Sequence, residues 1–194
     1  MVAVREHFPR FTPAEYLEWE EQQEFRHEYI NGEVYAMTGG TVNHSEIAMN
    51  FGTILRNQLE DSGCRVLTSD ARVSIQNSSD YVYPDLSVTC DPGDRGATKF
   101  ISHPCIIIEV LSPSTEAYDR GNKFNLYRRA ASLQEYILVS TTEIAIDIYR
   151  KNERGRWEIN NYRAGEPLEL ASISLTFPIE RVFKGIVFDP ESAT

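Results

Sequence analysis

The first third of the chain contains helical and strand-like hydrophobic patterns in turn. The run "TPAE" predicts a helix start, because Thr12 can serve as N-cap while Glu15 closes a capping box, and we expect this helix to run to about Glu24. "HEYINGEVYAM" then alternates like a pair of strands around the Asn-Gly pair at 31–32, which favours the positive φ angles of a type I′ turn. A helix followed by a β-hairpin is therefore predicted.

A longer helical pattern follows in "NHSEIAMNFGTILRNQLEDSG". Its apolar residues recur every three or four positions, as in an amphipathic helix: Ile47, Phe51, Ile54 and Leu55. Asn43 and Glu46 have the spacing of a capping box at its start, and Gly63 is a typical stop signal. The pattern predicts one helix with a single buried face.

Strand-like runs dominate the middle of the chain. Three candidates are "CRVLTSDARVSIQ", "YVYPDLSVTC" and "CIIIEVL". Residues 77–80, "NSSD", favour a tight turn between the first two, and a loop at 91–104 separates the second from the third. A third helix is predicted near Glu116 to Ala131. Beyond it, "EYILVS", "IAIDIYR" and "WEINNYR" predict strands, and "LTFPIERVF" predicts a final short element.

The order of these elements defines the expected fold class. From the second helix onward it is α-β-β-β-α-β, with extra strands after it. A mixed sheet with helices covering its faces is the natural packing of that order, so we predict an α/β (α+β) fold preceded by a helix and a hairpin. The C-terminal strands would extend one edge or form a small flap. With 194 residues, we expect a single domain over 1–194.

The charge of the chain limits its partners. The formal net charge is −10, which argues against a protein that coats nucleic acid generally, because phosphate binding draws on an excess of Lys and Arg. An enzyme that binds one phosphodiester through a cation remains compatible with this charge. The candidates for a local positive surface are Arg95, Lys99, Arg120, Arg128 and Arg129.

The cysteines and the hydropathy suggest a compartment. Cys64, Cys90 and Cys105 are odd in number, far apart and without a CxxC pair, so we predict reduced, buried thiols in a cytosolic protein. No apolar run approaches the length of a membrane span, and the first residues lack the apolar stretch of a signal peptide. We therefore expect a cytoplasmic protein with no membrane contact.

Two acidic residues interrupt segments otherwise built for burial. Asp85 follows a proline in "YPDLSV", and Glu109 sits inside "IIIEVL". If the two strands are neighbours, the carboxylates converge, and like charges raise one another's pKa unless a cation lies between them. Mg²⁺ or Mn²⁺ would resolve that conflict with oxygen ligands. The alternative is that each acid faces solvent at a sheet end or pairs with an arginine.

Lys123 and His44 are the remaining candidates for chemistry. Lys123 shares a helical face with apolar residues at i+3, i+4 and i+7, so it either snorkels past the core or points into the site of Glu109. A surface ion pair with Asp119 is the plain alternative. His44 shares a face with Ile47 and is either a core or capping residue or a functional one. The hairpin acids Glu28 and Glu33 would be solvated or would add an outer-shell oxygen to the site. Tyr127 would either pack in the core or position Lys123.

The segments "HEYINGEVYAMTGGTVNHSEI", "YPDLSV", "IIIEVLSPSTEAYDRGNKFNLYRRA" and "QEYILVS" resemble the Uma2 family (DUF820), abundant in cyanobacteria and assigned to the PD-(D/E)xK nuclease-like superfamily. The resemblance covers nearly the whole chain and implies a restriction-endonuclease-like αβββαβ core. It implies Asp85 and Glu109 as the acid pair. The superfamily's usual lysine position falls on Leu111, so the resemblance implies Lys123 of the next helix instead and leaves Leu111 a carbonyl ligand at most.

The function implied is a Mg²⁺- or Mn²⁺-dependent endonuclease acting on DNA. Asp85 and Glu109 would hold the metal, Lys123 would orient water or stabilise charge, and His44 would assist proton transfer or contact a phosphate. A homodimer could place two sites on one groove. The alternatives are a nuclease-fold module with a regulatory or partner-binding role, and a glycosidase with a carboxylate pair, which the lack of an aromatic platform disfavours.

Overall fold

The computed structural model describes residues 3–5, 10–37, 39–76 and 78–188. The helices are α1 Pro13–Glu20, α2 Val42–Gln58, α3 Glu116–Tyr118 and α4 Phe124–Tyr127, with a π-helical turn Asp119–Lys123 between the last two. The strands are β1 Ala3–Arg5, β2 His27–Ile30, β3 Glu33–Met37, β4 Arg65–Thr68, β5 Val73–Ile75, β6 Asp80–Val82, β7 Leu86–Thr89, β8 Ile106–Val110, β9 Glu135–Val139, β10 Ala145–Lys151, β11 Trp157–Arg163, β12 Pro167–Leu170 and β13 Leu175–Pro178.

The central sheet has six strands in the order β11-β10-β9-β8-β7-β4. Its neighbours are antiparallel except β8 and β9, which run parallel and are joined through the α3–α4 segment. The order α2, β4, β7, β8, α3–α4, β9 gives the predicted αβββαβ core with a mixed sheet. β10 and β11 extend one edge, as expected. The predicted fold class is confirmed.

The central sheet is covered on both faces, which explains the continuous apolar run in β8. Ile106 and Ile108 pack in one cluster with Phe51 of α2, whereas Ile107 packs in another with Tyr127 of α4. All of these side chains are fully buried, and each stabilises the fold by about 1.5–3 kcal/mol relative to exposure. A polar side chain in β8 therefore lies between two apolar layers.

A second sheet, in the order β1-β3-β2-β6-β5, contains the predicted hairpin. Asn31 and Gly32 have φ angles of 52° and 84°, which confirms the turn type. The hairpin sheet also contains β5 and β6, which are parts of two long strands that were predicted for the core sheet. "CRVLTSDARVSIQ" divides into β4 and β5, and "YVYPDLSVTC" divides into β6 and β7, so three predicted strands are five. Pro84, which cannot donate to a ladder, separates β6 from β7 and carries the chain from one sheet to the other.

The helix boundaries differ from the predicted ones. The capping box of α1 is present, but the helix ends at Glu20 rather than about Glu24. The N-cap of α2 is Thr41, whose side chain accepts from the backbone N–H of His44. Asn43 instead donates its side-chain amide to the Val187 carbonyl, 3.0 Å away, so it was wrongly predicted as the cap.

The other boundaries differ in the same way. α2 ends at Gln58, and Gly63, at φ +75°, lies in the turn beyond it. The third helix stops at Tyr127 instead of Ala131 and includes the π-helical turn, which the apolar pattern did not indicate. Of the predicted turn at 77–80, residue 77 lies outside the described residues. The final element is β13, paired with β12.

The prediction of three reduced thiols is wrong for two of them. Cys64 and Cys90 form a disulfide, with Cα atoms 4.1 Å apart, and Cys105 is free. The physical reason is the register of β4 and β7: Arg65 pairs with Thr89, so the next residues outward are cross-strand neighbours. Cys105 Sγ lies 3.9 Å from Cys90 Sγ, and burial raises the pKa of the Cys105 thiol to about 11. Among the residues described, no helix is long and apolar enough to cross a bilayer.

Asp94 fixes the loop between β7 and β8. Its carboxylate accepts hydrogen bonds from Thr89 Oγ1 (2.8 Å) and from the backbone N–H groups of Ser102 (2.9 Å) and His103 (2.9 Å). Burial acts to raise the pKa of Asp94, but these donors outweigh burial and hold the pKa below its ordinary value. The charged form of Asp94 therefore stabilises the fold.

We expect Asp94→Asn to lower the free energy of unfolding at neutral pH by roughly 1–2 kcal/mol. Because the folded pKa is lowered, this stabilisation is present above the ordinary carboxyl pKa and is lost as the pH falls through the folded value. Urea unfolding of both proteins at neutral pH and at about pH 3 measures the difference. A difference of equal size at both pH values would contradict the assignment.

Candidate active site

The two predicted acids lie on neighbouring strands at one end of the central sheet. Leu86 pairs with Ile108, so Asp85, just before β7, lies across from Glu109 in β8. The exposed fractions are 4% for Asp85 and 1% for Glu109. Asp85 Oδ2 accepts a hydrogen bond of 2.8 Å from the backbone N–H of Val110, which fixes its carboxylate at the end of the β7–β8 ladder. The expected convergence of the strands is present.

Lys123 reaches this acid pair from the helical segment after β8. Its Nζ lies 2.9 Å from Glu109 Oε1 and 3.6 Å from Asp119 Oδ1, and its exposed fraction is 2%. The predicted alternative of a surface pair with Asp119 is wrong, since both side chains are buried. The π-helical turn begins at Asp119 and ends at Lys123, and such turns occur often at functional sites. The Tyr136 hydroxyl, 3.0 Å away, donates to the Asp119 carbonyl and anchors the turn.

Tyr127 and Glu28 complete the buried part of the cluster. The Tyr127 hydroxyl donates to Glu109 Oε1 at 2.5 Å, so this tyrosine bonds to the acid and does not only pack. Glu28, on β2 of the other sheet, is 3% exposed and accepts from the backbone N–H of Tyr83 at 3.2 Å. The charge of Glu28 acts on Lys123. The site therefore lies where the two sheets meet.

The cluster holds more acids than bases. Burial by itself would lower the pKa of Lys123, but four carboxylates outweigh it and raise that pKa: Glu109, Glu28, Asp119 and Asp85. Burial raises the pKa of Glu109, Lys123 opposes this shift, and Asp85 and Asp119 add to it. The pKa values of both partners of the 2.9 Å pair thus shift upward, that of Glu109 mainly because of burial and that of Lys123 because of the surrounding carboxylates. A further cation would relieve the excess of negative charge.

His44 lies on the other side of Asp85. Its Nε2 is 3.1 Å from Asp85 Oδ2, and its side chain is buried. Burial acts to raise the pKa of Asp85, but His44 and then Lys123 outweigh burial and lower the pKa. Gly40 leaves room for the ring, since a Cβ there would lie 2.8 Å from His44 Nδ1. His44 therefore lies next to one acid of the pair, and its functional role stays a prediction.

An open cavity of about 660 Å³ lies between α2 and β4 and reaches Asp85. His44, Ser45, Met49 and Arg56 line it along α2. Glu109 and Lys123 do not line it and lie behind Asp85. A substrate that enters this cavity therefore contacts Asp85 and His44 before it can reach Glu109 or Lys123.

The donor set fits a hard divalent cation that retains water. Within the described part of the chain, Asp85 makes these contacts through Oδ2 and Glu109 through Oε1, so Oδ1 and Oε2 are the oxygens that a cation could use. His44 Nε2 and Asp119 Oδ1 are buried, and each faces a charged partner: Asp85 Oδ2 at 3.1 Å and Lys123 Nζ at 3.6 Å. Within the described ranges, no group of three or more His, Cys, Asp or Glu side chains is placed to hold a metal ion, so a cation here would depend on two carboxylates with water or phosphate. Mg²⁺ commonly uses one or two carboxylates with waters and substrate phosphates.

Leu111 occupies a different environment from the acids. Its side chain is buried in the apolar cluster with Tyr127, and its carbonyl accepts a hydrogen bond of 2.9 Å from Thr141 Oγ1. The carbonyl, which was the only atom that the prediction used, thus already has a partner in the protein. Since a carbonyl oxygen has a second lone pair, metal ligation by the Leu111 carbonyl stays a prediction.

The basic residues expected to form a positive surface do not line the cavity. Arg120 pairs with Glu116 and Asp147, and Lys99 pairs with Glu21. The other three have varied contacts: Arg129 with Asp80, Arg128 over the Phe124 ring, and Arg95 beside Gly63. Arg56, which was not predicted, is the one Lys or Arg among the cavity-lining residues of the described chain.

Comparisons with known proteins agree with this fold. The family model of Uma2, with the description "Putative restriction endonuclease", matches residues 13–182. The uncharacterized protein slr1290 of Synechocystis sp. is 50% identical over 181 residues, covering 93% of this chain and 95% of its own. A second Synechocystis protein, the uncharacterized protein sll1609, is 32% identical over 148 residues, covering 75% of this chain and 84% of its own.

A solved structure shares the architecture. The crystal structure of a putative nuclease belonging to DUF820, from Anabaena variabilis ATCC 29413, superposes with a TM-score of 0.74 at 19% identity. The match covers 91% of this chain and 99% of that one. At this identity the likeness shows the fold, and the family assignment depends on the family model and the curated relatives. The resemblance drawn from the sequence motifs is confirmed, and the chain belongs to the Uma2 family.

Proposed function

We propose that this chain is a Mg²⁺- or Mn²⁺-dependent nuclease that hydrolyses phosphodiester bonds of DNA. The observation that supports it most is the Lys123 amine, buried 2.9 Å from Glu109, while Asp85 on the adjoining strand opens into the cavity. Amine, acid pair and cavity are the parts that hydrolysis of a phosphodiester needs. Membership in a family with the description "Putative restriction endonuclease" supports that chemistry by analogy.

The metal would be held by the free oxygens of Asp85 and Glu109. When bound, Mg²⁺ or Mn²⁺ supplies polarisation of the phosphate and a lower pKa for the attacking water. Lys123 holds a positive charge that the surrounding carboxylates maintain, so it can stabilise negative charge on the phosphate oxygens in the transition state. Tyr127 fixes Glu109 in place.

His44 has a separate role on the cavity side. Its ring borders the cavity beside Asp85, within reach of a phosphate that enters there. It would hydrogen-bond the phosphate or transfer a proton while water adds to phosphorus and one P–O bond breaks. Gly40 leaves room for the ring in that orientation, because a Cβ at this position would collide with it.

The other candidate is a nuclease-fold module without turnover. One observation favours it: Glu109 Oε1 already contacts both Lys123 and Tyr127, so the buried cluster is partly satisfied by the protein. In that case the cluster would stabilise the junction of the sheets, and the protein would act through a partner. Metal dependence separates the two candidates.

Removal of the metal tests the proposed function. We expect the purified protein to cut DNA in the presence of Mn²⁺, to lose activity in excess EDTA and to regain it when Mn²⁺ is restored. Isothermal titration of Mn²⁺ into metal-free protein should give a binding heat. Cleavage that persists in EDTA, or the absence of both cleavage and binding heat, would reject the metal-dependent nuclease and favour the inactive module.

A further inference from the structure

The cavity between α2 and β4 has the size and lining of a nucleotide site. Its volume of about 660 Å³ lies within the usual range for small-molecule sites. We propose that it binds unpaired nucleotides, so that the substrate is single-stranded nucleic acid or a single-stranded tail and not a closed duplex. This inference rests on the proposed function for the cutting step, but it concerns binding and can be measured separately.

The burial of the acids disfavours a closed duplex. Asp85 is 4% exposed at the base of the cavity, and Glu109 lies deeper at 1%. A phosphate must therefore enter a recess to reach them. Duplex DNA is stiff, with a persistence length of about 50 nm, and moving a nucleotide out of it costs a few kcal/mol of unstacking. A single strand bends into such a recess without that cost.

The electrostatics point the same way. Duplex DNA carries one negative charge per about 1.7 Å of its axis, and tight binding requires many Lys and Arg contacts. The chain has a net charge of −10, and the cavity wall in the described chain holds one Lys or Arg side chain, Arg56, together with the acids Asp70 and Asp85. Arg120 and Arg129 are engaged with acids elsewhere. A short segment of single strand, with few phosphates, suits this limited positive charge.

Two ends of the cavity can each receive a phosphate. At one end lies the start of the 17-residue helix α2, where backbone N–H groups favour anions. The buried His44 also lies at this end, with its Nε2 3.1 Å from Asp85 Oδ2. Arg56 is at the other end, twelve residues along the helix, a distance of about 18 Å at 1.5 Å per residue. A single strand of a few nucleotides can span that length with only part of it inside the cavity of about 660 Å³.

The wall between these ends is apolar enough to face exposed bases. Ala48, Val66 and Leu86 line it together with Met49, whose exposed fraction is 67%. Methionine is polarisable and makes favourable contacts with aromatic rings. Bases of a single strand present their ring faces, whereas those of a duplex are stacked inside. The cavity thus offers phosphate contacts at its ends and base contacts between them.

A binding experiment tests this inference directly. Fluorescence anisotropy would compare the binding of a labelled ten-nucleotide single strand and of a blunt hairpin duplex in Mn²⁺, read before cleavage proceeds. We expect the single strand to bind at least tenfold more tightly, and Met49→Glu to weaken its binding at least tenfold. Ile159→Glu is the matched control, because Ile159 is also an exposed apolar residue but lies on β11, at the opposite edge of the central sheet. The Ile159→Glu variant should bind the single strand as tightly as the wild type does.

The outcomes distinguish the two levels of the proposal. Equal binding of strand and duplex, or no effect of Met49→Glu, would overturn the inference even if Mn²⁺-dependent cutting is found. Selective binding of the single strand without cutting would support the inference while rejecting the proposed nuclease. If both hold, a duplex with a single-stranded tail should be trimmed in the tail and spared in the paired region.

Discussion

Replacement of Lys123 by methionine should lower the free energy of unfolding by about 3–5 kcal/mol, since it leaves buried carboxylates without their cation. The Lys123 amine lies 2.9 Å from Glu109 and 3.6 Å from Asp119, and all three residues are at most 2% exposed. Methionine fills a similar volume, so the loss would report on charge and not on a cavity. Mn²⁺-dependent cleavage should disappear as well. Urea unfolding and the cleavage assay measure the two effects.

The charge explanation has its own controls. Adding Glu109→Gln to the Lys123→Met variant removes the nearest unpaired charge, so it should recover much of the stability but none of the activity. Lys99→Met removes a lysine whose side chain is 64% exposed and pairs with Glu21 on the surface. An exposed pair of this kind contributes about 0–1 kcal/mol, and cleavage should be unchanged. A Lys123→Met protein as stable as the wild type would contradict the buried-cation account.

Asp85→Asn should abolish the proposed reaction while the fold persists. The asparagine keeps an oxygen for the Val110 N–H, so the end of the β7–β8 ladder remains paired. It removes one of two negative ligands, and we expect Mn²⁺ affinity to fall at least about tenfold and the cleavage rate by about 10³-fold, since a metal ion contributes several kcal/mol to the transition state. Isothermal titration with Mn²⁺ and initial cleavage rates are the measurements.

Asp94→Asn is the matched control for that substitution. Asp94 is also a buried acid that accepts a backbone N–H, but it holds the loop beyond β7 and does not line the cavity. Its replacement should leave Mn²⁺ affinity and cleavage unchanged. If Asp94→Asn and Asp85→Asn reduce Mn²⁺ binding equally, the metal is bound non-specifically by acids and the Asp85 assignment fails.

Local signals predicted the parts of the fold that depend on neighbouring residues. Thr12 with Glu15, and Asn31 with Gly32, act through bonds within a few residues, so the α1 start and the hairpin turn could be placed from sequence. Asp85 and Glu109 were found because each breaks an apolar run. Lys123 was found because it lies on an apolar helical face.

The features that the sequence did not predict depend on distant partners. Glu28 is buried by contact with Tyr83, 55 residues away, and nothing in the hairpin sequence distinguishes it from a solvated acid. Asp119 is buried because the π-helical turn packs against Tyr136. The disulfide of Cys64 with Cys90 follows from a strand register that spacing alone does not define. Burial of Asp119 was in principle detectable, since it lies four residues before Lys123 on the same side.

The disulfide also makes part of the chain a covalent ring. The ring runs from Cys64 to Cys90 and therefore includes β5, β6, the crossing between the sheets and Asp85. A protease that cuts once in the turn near Ser78 would open the ring without releasing a fragment, because both new ends remain tethered through sulfur. In such a nicked protein the segment with Asp85 would stay attached to the segment with α2 until a reductant breaks the disulfide.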